Sequence, residues 1–392
     1  MKEMVPFNKP SFMGKELEYI SDAVLNEKIS GDGKYTYKCH KFLEEKFNAK
    51  KVLLTTSCTH ALELAALLLD LKEGNEVIVP SFTFVSTVNA FMLRGARPVF
   101  VDIRFDTKNI NENLIEDKIT KNTKAIFVVH YAGVACEMDK IMDIARRHNL
   151  YVVEDAAQGV NAKYKNKYLG TIGTFGCYSF HETKNVICGE GGALIINDEK
   201  FIERAEIIRE KGTNRSKFFR GEIDKYTWID IGSSYLPSDV LAAFLYGQLE
   251  NIDKITNLRR AIYEKYLNDL KILDVKLPEI PSYCTPNYHM FYMLLERENV
   301  RADFIKHLKI KGISSVFHYV PLHLSPLGLK MGYKEGELPI TEDVSTRLVR
   351  LPFYNNINLE DLEYVITEVK NYFGMKCENL VEQEKVLRLI KQ

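Results

Sequence analysis

The chain has 392 residues, of which 46% are hydrophobic and 27% charged, the composition of an ordinary globular protein with a large core. Lysine plus arginine and aspartate plus glutamate number 53 each, so net charge gives no general attraction to nucleic acid or to an anionic membrane. Seven scattered cysteines without a Cys-x-x-Cys pair favour reduced thiols over a metal site or a disulfide framework.

The N-terminal segment and the hydropathy of the chain indicate its cellular compartment. MKEMVPFNKPSF has no apolar core, so it does not resemble a signal peptide. No apolar run approaches the roughly 20 residues needed to cross a bilayer. We therefore expect a cytoplasmic protein with no metal and no nucleic-acid or membrane partner.

In chain order, short apolar runs alternate with helical patterns over residues 1–250. The predicted strands are KVLLTTS (51–57), EVIVPSFTF (76–84), RPVFVDI (97–103), KAIFVVHYAG (124–133), YVVEDAA (151–157), TFGCYSF (174–180) and GGALIIND (191–198). Continuous rather than alternating apolar character is typical of strands buried on both faces. The sequence predicts an α/β domain with a mostly parallel seven-stranded sheet covered by helices.

A smaller region follows. One long helix is predicted from 242 to 270, and short strand patterns at 289–296 and 313–320 then mix with helical patterns. We interpret 251–373 as a smaller α+β C-terminal domain. The charged segment 374–392 has helical spacing and is interpreted as a tail, either a terminal helix or frayed.

Three polar clusters follow predicted strands: Thr55–Thr59, Glu154–Asp155 with Gln158, and Ser179–Lys184. Ligands of an open parallel sheet bind outside the carboxyl ends of its strands. Taken singly, the clusters have ordinary explanations, namely helix caps, a solvated acid and a surface lysine.

Taken together, the clusters supply three complementary chemistries. A helix N-terminus with hydroxyl side chains suits a phosphate, a carboxylate can hold a proton on a ring nitrogen, and a lysine can react with an aldehyde. Pyridoxal 5′-phosphate carries all three groups, and its ring acts as an electron sink. A dinucleotide site is not indicated, because no Gly-x-Gly-x-x-Gly follows a strand, and there is no Walker A run.

The chain resembles the DegT/DnrJ/EryC1/StrS family of pyridoxal-phosphate-dependent sugar-nucleotide aminotransferases, which have the aspartate aminotransferase (type I) fold. The shared segments run in order from residue 4 to about 373: VPFNKP, SGDG, TTSCTHALELAALLL, VPSFTFVSTVNAF, VDI, VVHYAG, VVEDAAQ, YSFHETKN with GEGG, and FHYVPLH. VHYAGVACEMD, IIREKGTNRS with FFRG, and DKYTWIDIGSSYL most resemble the dTDP-4-amino-4,6-dideoxygalactose transaminase branch.

The resemblance implies roles for the central residues. Lys184 bonds to the cofactor aldehyde and moves the substrate proton, Asp155 pairs with the pyridine nitrogen, and Gln158 lies near the cofactor hydroxyl. His181 is interpreted as a positioning or packing residue. Separately, Gly189, Gly191 and Gly192 are expected to permit turns that other residues resist.

The phosphate and the ring are assigned to further residues. Ser57, Cys58 and Thr59 occupy the family's Ser-Gly-Thr phosphate position, joined by Ser179, and Cys58 replaces the usual glycine. Phe84 matches the aromatic residue that stacks on the ring. Core packing is the alternative for Phe84.

Further matches concern the substrate and a partner subunit. His318, Tyr319 and His323 match the stretch that helps to form the sugar-nucleotide site. Ser234 stands where many relatives have an asparagine that reaches the phosphate of the partner subunit. The resemblance therefore implies a homodimer with the active site at its interface.

The implied reaction moves an amino group from L-glutamate to C4 of dTDP-4-keto-6-deoxy-D-glucose. Amination at C3, an equatorial amine and another keto-sugar nucleotide stay open, and no motif identifies an arginine for the glutamate carboxylates. A related sugar dehydratase is disfavoured, because there histidine replaces the lysine. A non-catalytic regulatory protein is a further alternative, although no appended DNA-binding module supports it.

Overall fold

The structure is a computed structural model that describes residues 4–374. Its strands are β1 Lys51–Thr55, β2 Glu76–Pro80, β3 Arg97–Val101, β4 Thr123–Val129, β5 Tyr151–Asp155, β6 Lys163–Tyr164, β7 Lys167–Tyr168, β8 Phe175–Ser179, β9 Gly192–Ile196, β10 Cys284–Thr285, β11 Tyr292–Leu294, β12 Val316–Phe317 and β13 Leu348–Arg350. Its α-helices are α1 Glu16–Leu25, α2 Lys34–Phe47, α3 Cys58–Leu68, α4 Val85–Met92, α5 Met138–Arg147, α6 Ile202–Arg209, α7 Arg215–Phe219, α8 Asp239–Leu249, α9 Ile252–Leu270, α10 Glu298–Ile310, α11 Pro326–Lys330, α12 Pro339–Arg347 and α13 Leu359–Tyr372.

The central sheet has seven strands in the order β1-β9-β8-β5-β4-β2-β3. All neighbours pair in parallel except β9, which runs antiparallel to both β1 and β8. Each predicted strand of the large domain coincides with one of these seven. The prediction of a mostly parallel seven-stranded α/β sheet is therefore confirmed.

Two hydrophobic cores cover the faces of this sheet. Helices α2, α5 and α8 contribute buried residues such as Leu43, Ile141 and Leu245 to one core, and helices α3, α4 and α6 contribute to the other. Burial on both faces explains why the strands read as continuous apolar runs. Because β1, β2, β4, β5 and β8 run in the same direction, their carboxyl ends lie along one edge.

A smaller antiparallel sheet, in the order β11-β13-β12, packs with α9, α10 and α13 around a separate core that includes Phe304 and Val349. The N-terminal segment joins this core, since Val5 bridges to Ile313 and is buried there. A third sheet, β10-β6-β7, was not predicted. The division of the chain at 250/251 stays a prediction.

The single helix predicted from 242 to 270 is wrong. Helix α8 ends at Leu249 and α9 begins at Ile252, because Asn251 has a non-helical backbone with φ −108° and ψ 13°. The Asn251 side chain also donates to the Gly247 carbonyl (2.9 Å), satisfying an acceptor at the end of α8.

The predicted tail at 374–392 lies outside the described residues except for Gly374. None of the helices within residues 4–374 is long and apolar enough to span a membrane.

Candidate active site

A cavity of about 490 Å³ lies where the carboxyl ends of β5 and β8 and the start of α3 face the end of β13. The predicted site residues that line it are Ser57, Cys58, Thr59, Phe84, Asp155, Gln158, Ser179, Lys184, His318 and Tyr319. These residues come from positions 57 to 319 of the chain. The parallel order of the central strands brings most of them to one edge.

The first turn of α3 forms one wall of the cavity. Ser57 follows β1 and caps the helix, its Oγ accepting a hydrogen bond from the His60 backbone N–H (3.1 Å). The Thr59 hydroxyl donates to Ser86 Oγ (2.8 Å). Cys58 occupies the first helical position and is buried. A helix N-terminus bordered by hydroxyls in this way can bind a phosphate.

Gly192 permits β9 to lie directly against this turn. A Cβ on Gly192 would lie 2.3 Å from the Ser57 carbonyl carbon and 2.4 Å from the Cys58 nitrogen. Of the three glycines expected in turns, only Gly189 has a left-handed backbone, with φ +85°. The expectation is wrong for Gly191 and Gly192, which are needed for close approach instead.

Asp155 ends β5 and is almost fully buried. Its Oδ2 accepts from the Thr87 hydroxyl (2.6 Å) and its Oδ1 from the Ala157 N–H (3.1 Å). Burial raises the pKa of Asp155, while these two hydrogen bonds and the charge of Lys184 oppose that rise. The carboxylate is thus fixed in position and would gain from a cationic partner in the cavity.

Lys184 lies in the turn after β8, where its backbone N–H donates to the His181 carbonyl (2.9 Å). Its ammonium group makes no hydrogen bond or ion pair with any residue between 4 and 374. Burial lowers the pKa of Lys184, and the negative charge of the nearby Asp155 carboxylate opposes the effect. A lysine amine with a lowered pKa is a better nucleophile at neutral pH.

Gln158 links the two sides of the cavity. Its Oε1 accepts from the Ala132 N–H (2.7 Å), and its Nε2 donates to the Tyr319 hydroxyl (3.1 Å). The neighbouring His318 ring is hydrogen-bonded to the Tyr131 hydroxyl (3.1 Å). Burial lowers the pKa of His318 well below its ordinary value, so this ring is neutral near pH 7.

The remaining residues of the central wall are placed as follows. Phe84 precedes α4 and is 58% exposed, which excludes the core-packing alternative. Ser179 Oγ accepts from the His181 N–H (3.4 Å). The His181 ring is partly exposed and contacts the Thr183 hydroxyl (2.9 Å) at the mouth of the cavity.

Two predicted residues do not line the cavity. His323 is fully buried elsewhere, with its ring between Ser81 Oγ (2.8 Å) and Glu342 Oε1 (3.0 Å). The prediction that His323 contacts the sugar nucleotide is therefore wrong for the cavity of its own chain. Ser234 is exposed and its backbone bridges to Glu210, away from the cavity of its own chain.

The sequence profile of the DegT/DnrJ/EryC1/StrS aminotransferase family matches residues 11–370. The chain belongs to this family. It is 34% identical over 377 residues to an uncharacterized protein of Methanocaldococcus jannaschii, covering 94% of this chain and 97% of that protein. It is 32% identical over 373 residues to GDP-perosamine synthase of Escherichia coli O157:H7, covering 95% and 99% of the two chains.

Solved structures agree with the family assignment. The aminotransferase TlmJ from Streptoalloteichus hindustanus superposes with a TM-score of 0.87 at 28% identity, over 95% of this chain and 99% of that one. Aminotransferases of the DegT/DnrJ/EryC1/StrS family depend on pyridoxal 5′-phosphate. The predictions of the family, the type I fold and the cofactor are confirmed.

The cavity fits this cofactor by the chemistry of its side chains. The hydroxyl-bordered start of α3 suits the phosphate, and buried Asp155 suits a protonated ring nitrogen. Lys184 offers an amine that has no partner among the described residues. The close approach of Gly192 to the Ser57–Cys58 backbone holds β9 directly against this turn.

Sequence reasoning missed several residues of the opposite wall, chiefly Arg350, His289 and Asn8. Arg350 is the last residue of β13, and its guanidinium lies over the Phe7 ring, 4.7 Å from the ring centre. The His289 ring is hydrogen-bonded to the Asn185 side chain (2.8 Å). An arginine within the apolar run LVRLPF was the one available signal, since cations are seldom placed in buried strands.

Proposed function

We propose that this protein moves the amino group of L-glutamate to C4 of dTDP-4-keto-6-deoxy-D-glucose, giving dTDP-4-amino-4,6-dideoxy-D-galactose and 2-oxoglutarate. One observation carries the proposal. The Lys184 amine, the buried Asp155 carboxylate and the hydroxyl-bordered start of α3 all line one cavity. Membership of an aminotransferase family and the resemblance to the dTDP-sugar branch support the substrates.

The residues of the central wall then have defined tasks. When bound, pyridoxal phosphate supplies an electron sink for the pair left on the substrate carbon. Lys184 removes the proton from that carbon in the glutamate half-reaction and delivers a proton to C4 of the sugar in the second half-reaction, aided by its lowered pKa. Asp155, held by Thr87, keeps a proton on the ring nitrogen.

Other side chains bind and orient. Ser57, Cys58, Thr59 and Ser179 hold the phosphate at the start of α3, and exposed Phe84 packs on the ring. Gln158 lies near the cofactor hydroxyl.

His318 and Tyr319 contact the sugar nucleotide in this proposal. Gln158 fixes the Tyr319 hydroxyl, and Tyr131 fixes the His318 ring, so both groups face the cavity in set orientations. The relationship to a GDP-perosamine synthase makes GDP the nucleotide to test against dTDP.

We further propose a cytoplasmic homodimer with the site at its interface, Ser234 of each chain reaching the phosphate of the other. Exposed apolar side chains near Ser234 support such an interface, among them Phe219 and Trp228, of which 65% and 74% are exposed. In this arrangement residues 1–250 form the cofactor-binding domain and 251–373 the small domain.

The proposal is tested by following the two half-reactions separately. L-Glutamate should abolish the visible absorption of the cofactor-bound protein, and dTDP-4-keto-6-deoxyglucose should restore it. NMR of the product should show an axial amine at C4, and the corresponding GDP-linked sugar serves as the control. Absence of any spectral change with amino acids would favour the non-catalytic alternative. Amination at C3, or only of the GDP sugar, would overturn the assigned substrate.

A further inference from the structure

Arg350 ends β13, where its backbone pairs with Tyr292 on one side and Val316 on the other. Its side chain lines the same cavity as Lys184. Within residues 4–374 no carboxylate pairs with this guanidinium, no oxygen accepts from it, and its Nε is buried without a partner. The guanidinium lies over the Phe7 ring.

In Arg209 and Arg259, the two arginines of the described residues that are almost fully buried, all three guanidinium nitrogens donate to oxygens. Arg259 donates to the Tyr288 carbonyl (2.9 Å), to the Asn355 side chain (2.6 Å) and to the His289 carbonyl (2.5 Å). Arg209 is buried against Asp32 and also donates to a backbone carbonyl. Arg350 is partly buried in the cavity wall, where a cation without acceptors is costly, so its guanidinium is available to a ligand.

The surroundings of Arg350 are positive or neutral. Burial lowers the pKa of Arg350, and its charge in turn helps to lower the pKa of Lys184, His289 and His318. The buried acid of the cavity, Asp155, already accepts from Thr87 and Ala157. This end of the cavity therefore attracts an anion, and the planar guanidinium fork matches a carboxylate with two parallel hydrogen bonds.

We propose that Arg350 binds the α-carboxylate of the amino donor and holds the donor beside Lys184. The inference rests on the proposed function and names the donor-binding group that the family motifs leave undefined. The α-carboxylate is bonded to the carbon whose proton Lys184 removes, so it must lie near that amine. The diphosphate of a sugar nucleotide is attached at C1, across the hexose ring from C4, and lies farther out.

The first test measures binding without turnover. Glutarate, a dicarboxylate that has no amino group to transfer, is titrated calorimetrically into the cofactor-bound protein. Arg350→Gln should weaken glutarate binding by at least about tenfold, the loss expected for a charged hydrogen-bonded pair, and Arg350→Lys should lie between it and the wild type. Failure of the wild type to bind glutarate, or equal binding by Arg350→Gln, would overturn the proposal even if glutamate is transaminated.

A second measurement separates the donor from the sugar nucleotide. In single turnovers, Arg350→Gln should raise the half-saturating concentration of L-glutamate by at least about tenfold and leave that of the keto-sugar nucleotide unchanged. A change confined to the sugar nucleotide would assign Arg350 to the diphosphate instead and overturn the inference. If the wild type binds glutarate through Arg350 but transaminates neither substrate, the proposed function fails while the carboxylate site stands.

Stability distinguishes a ligand-binding arginine from a structural one. Arg350→Met removes a partly buried cation from which no oxygen of residues 4–374 accepts, so the Tm of the ligand-free protein should stay the same or rise. Arg259→Met is the matched control, because it removes a cation that satisfies three oxygens, and its Tm should fall. A fall in Tm for Arg350→Met as large as that for Arg259→Met would show a structural role and contradict the proposal.

Discussion

The two walls of the cavity differ in how the chain builds them. On the wall from the central sheet, Asp155 and Ser179 end strands, and Ser57 caps the helix after β1. On the wall from the small sheet, Arg350, His289 and His318 come from separate segments that antiparallel pairing and loop packing bring together. Parallel topology places strand ends at a common edge automatically, whereas the second wall depends on tertiary packing.

The largest expected effect is on the central wall. Lys184→Ala should lower turnover by about 10⁴-fold, the upper end of what a positioned proton-transfer group contributes. The side chain makes no hydrogen bond within the described chain, so the Tm should change little. Steady-state rates and thermal melts check both parts, with the exposed Lys72→Ala as the control. Turnover near the wild-type rate would remove the basis of the proposed mechanism.

Asp155→Asn should give the next largest loss. It keeps the shape of the side chain but removes the charge that holds a proton on the ring nitrogen. The first half-reaction should slow by about 10² to 10³-fold, as expected when a preorganised electrostatic partner is lost. Stopped-flow absorbance measures this rate, and the amount of bound cofactor shows whether the site still fills. An unchanged rate in protein with full cofactor would mean that Asp155 does not contact the ring.

The sequence predicted the residues of the central-sheet wall better than those of the small-sheet wall. Strand runs and polar residues at their ends located Asp155, Ser179 and Lys184, because strand position and site position coincide in a parallel sheet. Arg350 was not assigned to the site, since the run LVRLPF does not tell which face of the small sheet meets the cavity. The break between α8 and α9 was also missed, because Asn251 interrupts the helix without glycine or proline.

Gly192→Ala tests the packing of the central wall rather than its chemistry. The added methyl would overlap the Ser57–Cys58 backbone, so the free energy of unfolding should fall by about 1–3 kcal/mol, as for other overpacked sites. Cofactor affinity should fall as well, because the first turn of α3 must shift. Gly189→Ala is the control: no atom lies within 4 Å of its added methyl, and its strained backbone should lower stability with cofactor affinity unchanged. Urea melts and cofactor titrations of both variants distinguish crowding from turn strain.

The smallest effect on catalysis is expected for His323→Gln, a residue of the FHYVPLH motif that the structure places outside the cavity. Its ring is held between Ser81 and Glu342, and Glu342 also accepts from the Gly336 N–H (2.9 Å), so this group organises the turn before α12. The KM for the sugar nucleotide should be unchanged, while stability should fall by about 1–3 kcal/mol through unsatisfied buried partners. His318→Gln, on the cavity wall, should show the opposite pattern, with a raised KM. A raised KM for His323→Gln at unchanged stability would extend the substrate site beyond the small-sheet wall, and packing alone would no longer explain why this histidine is buried.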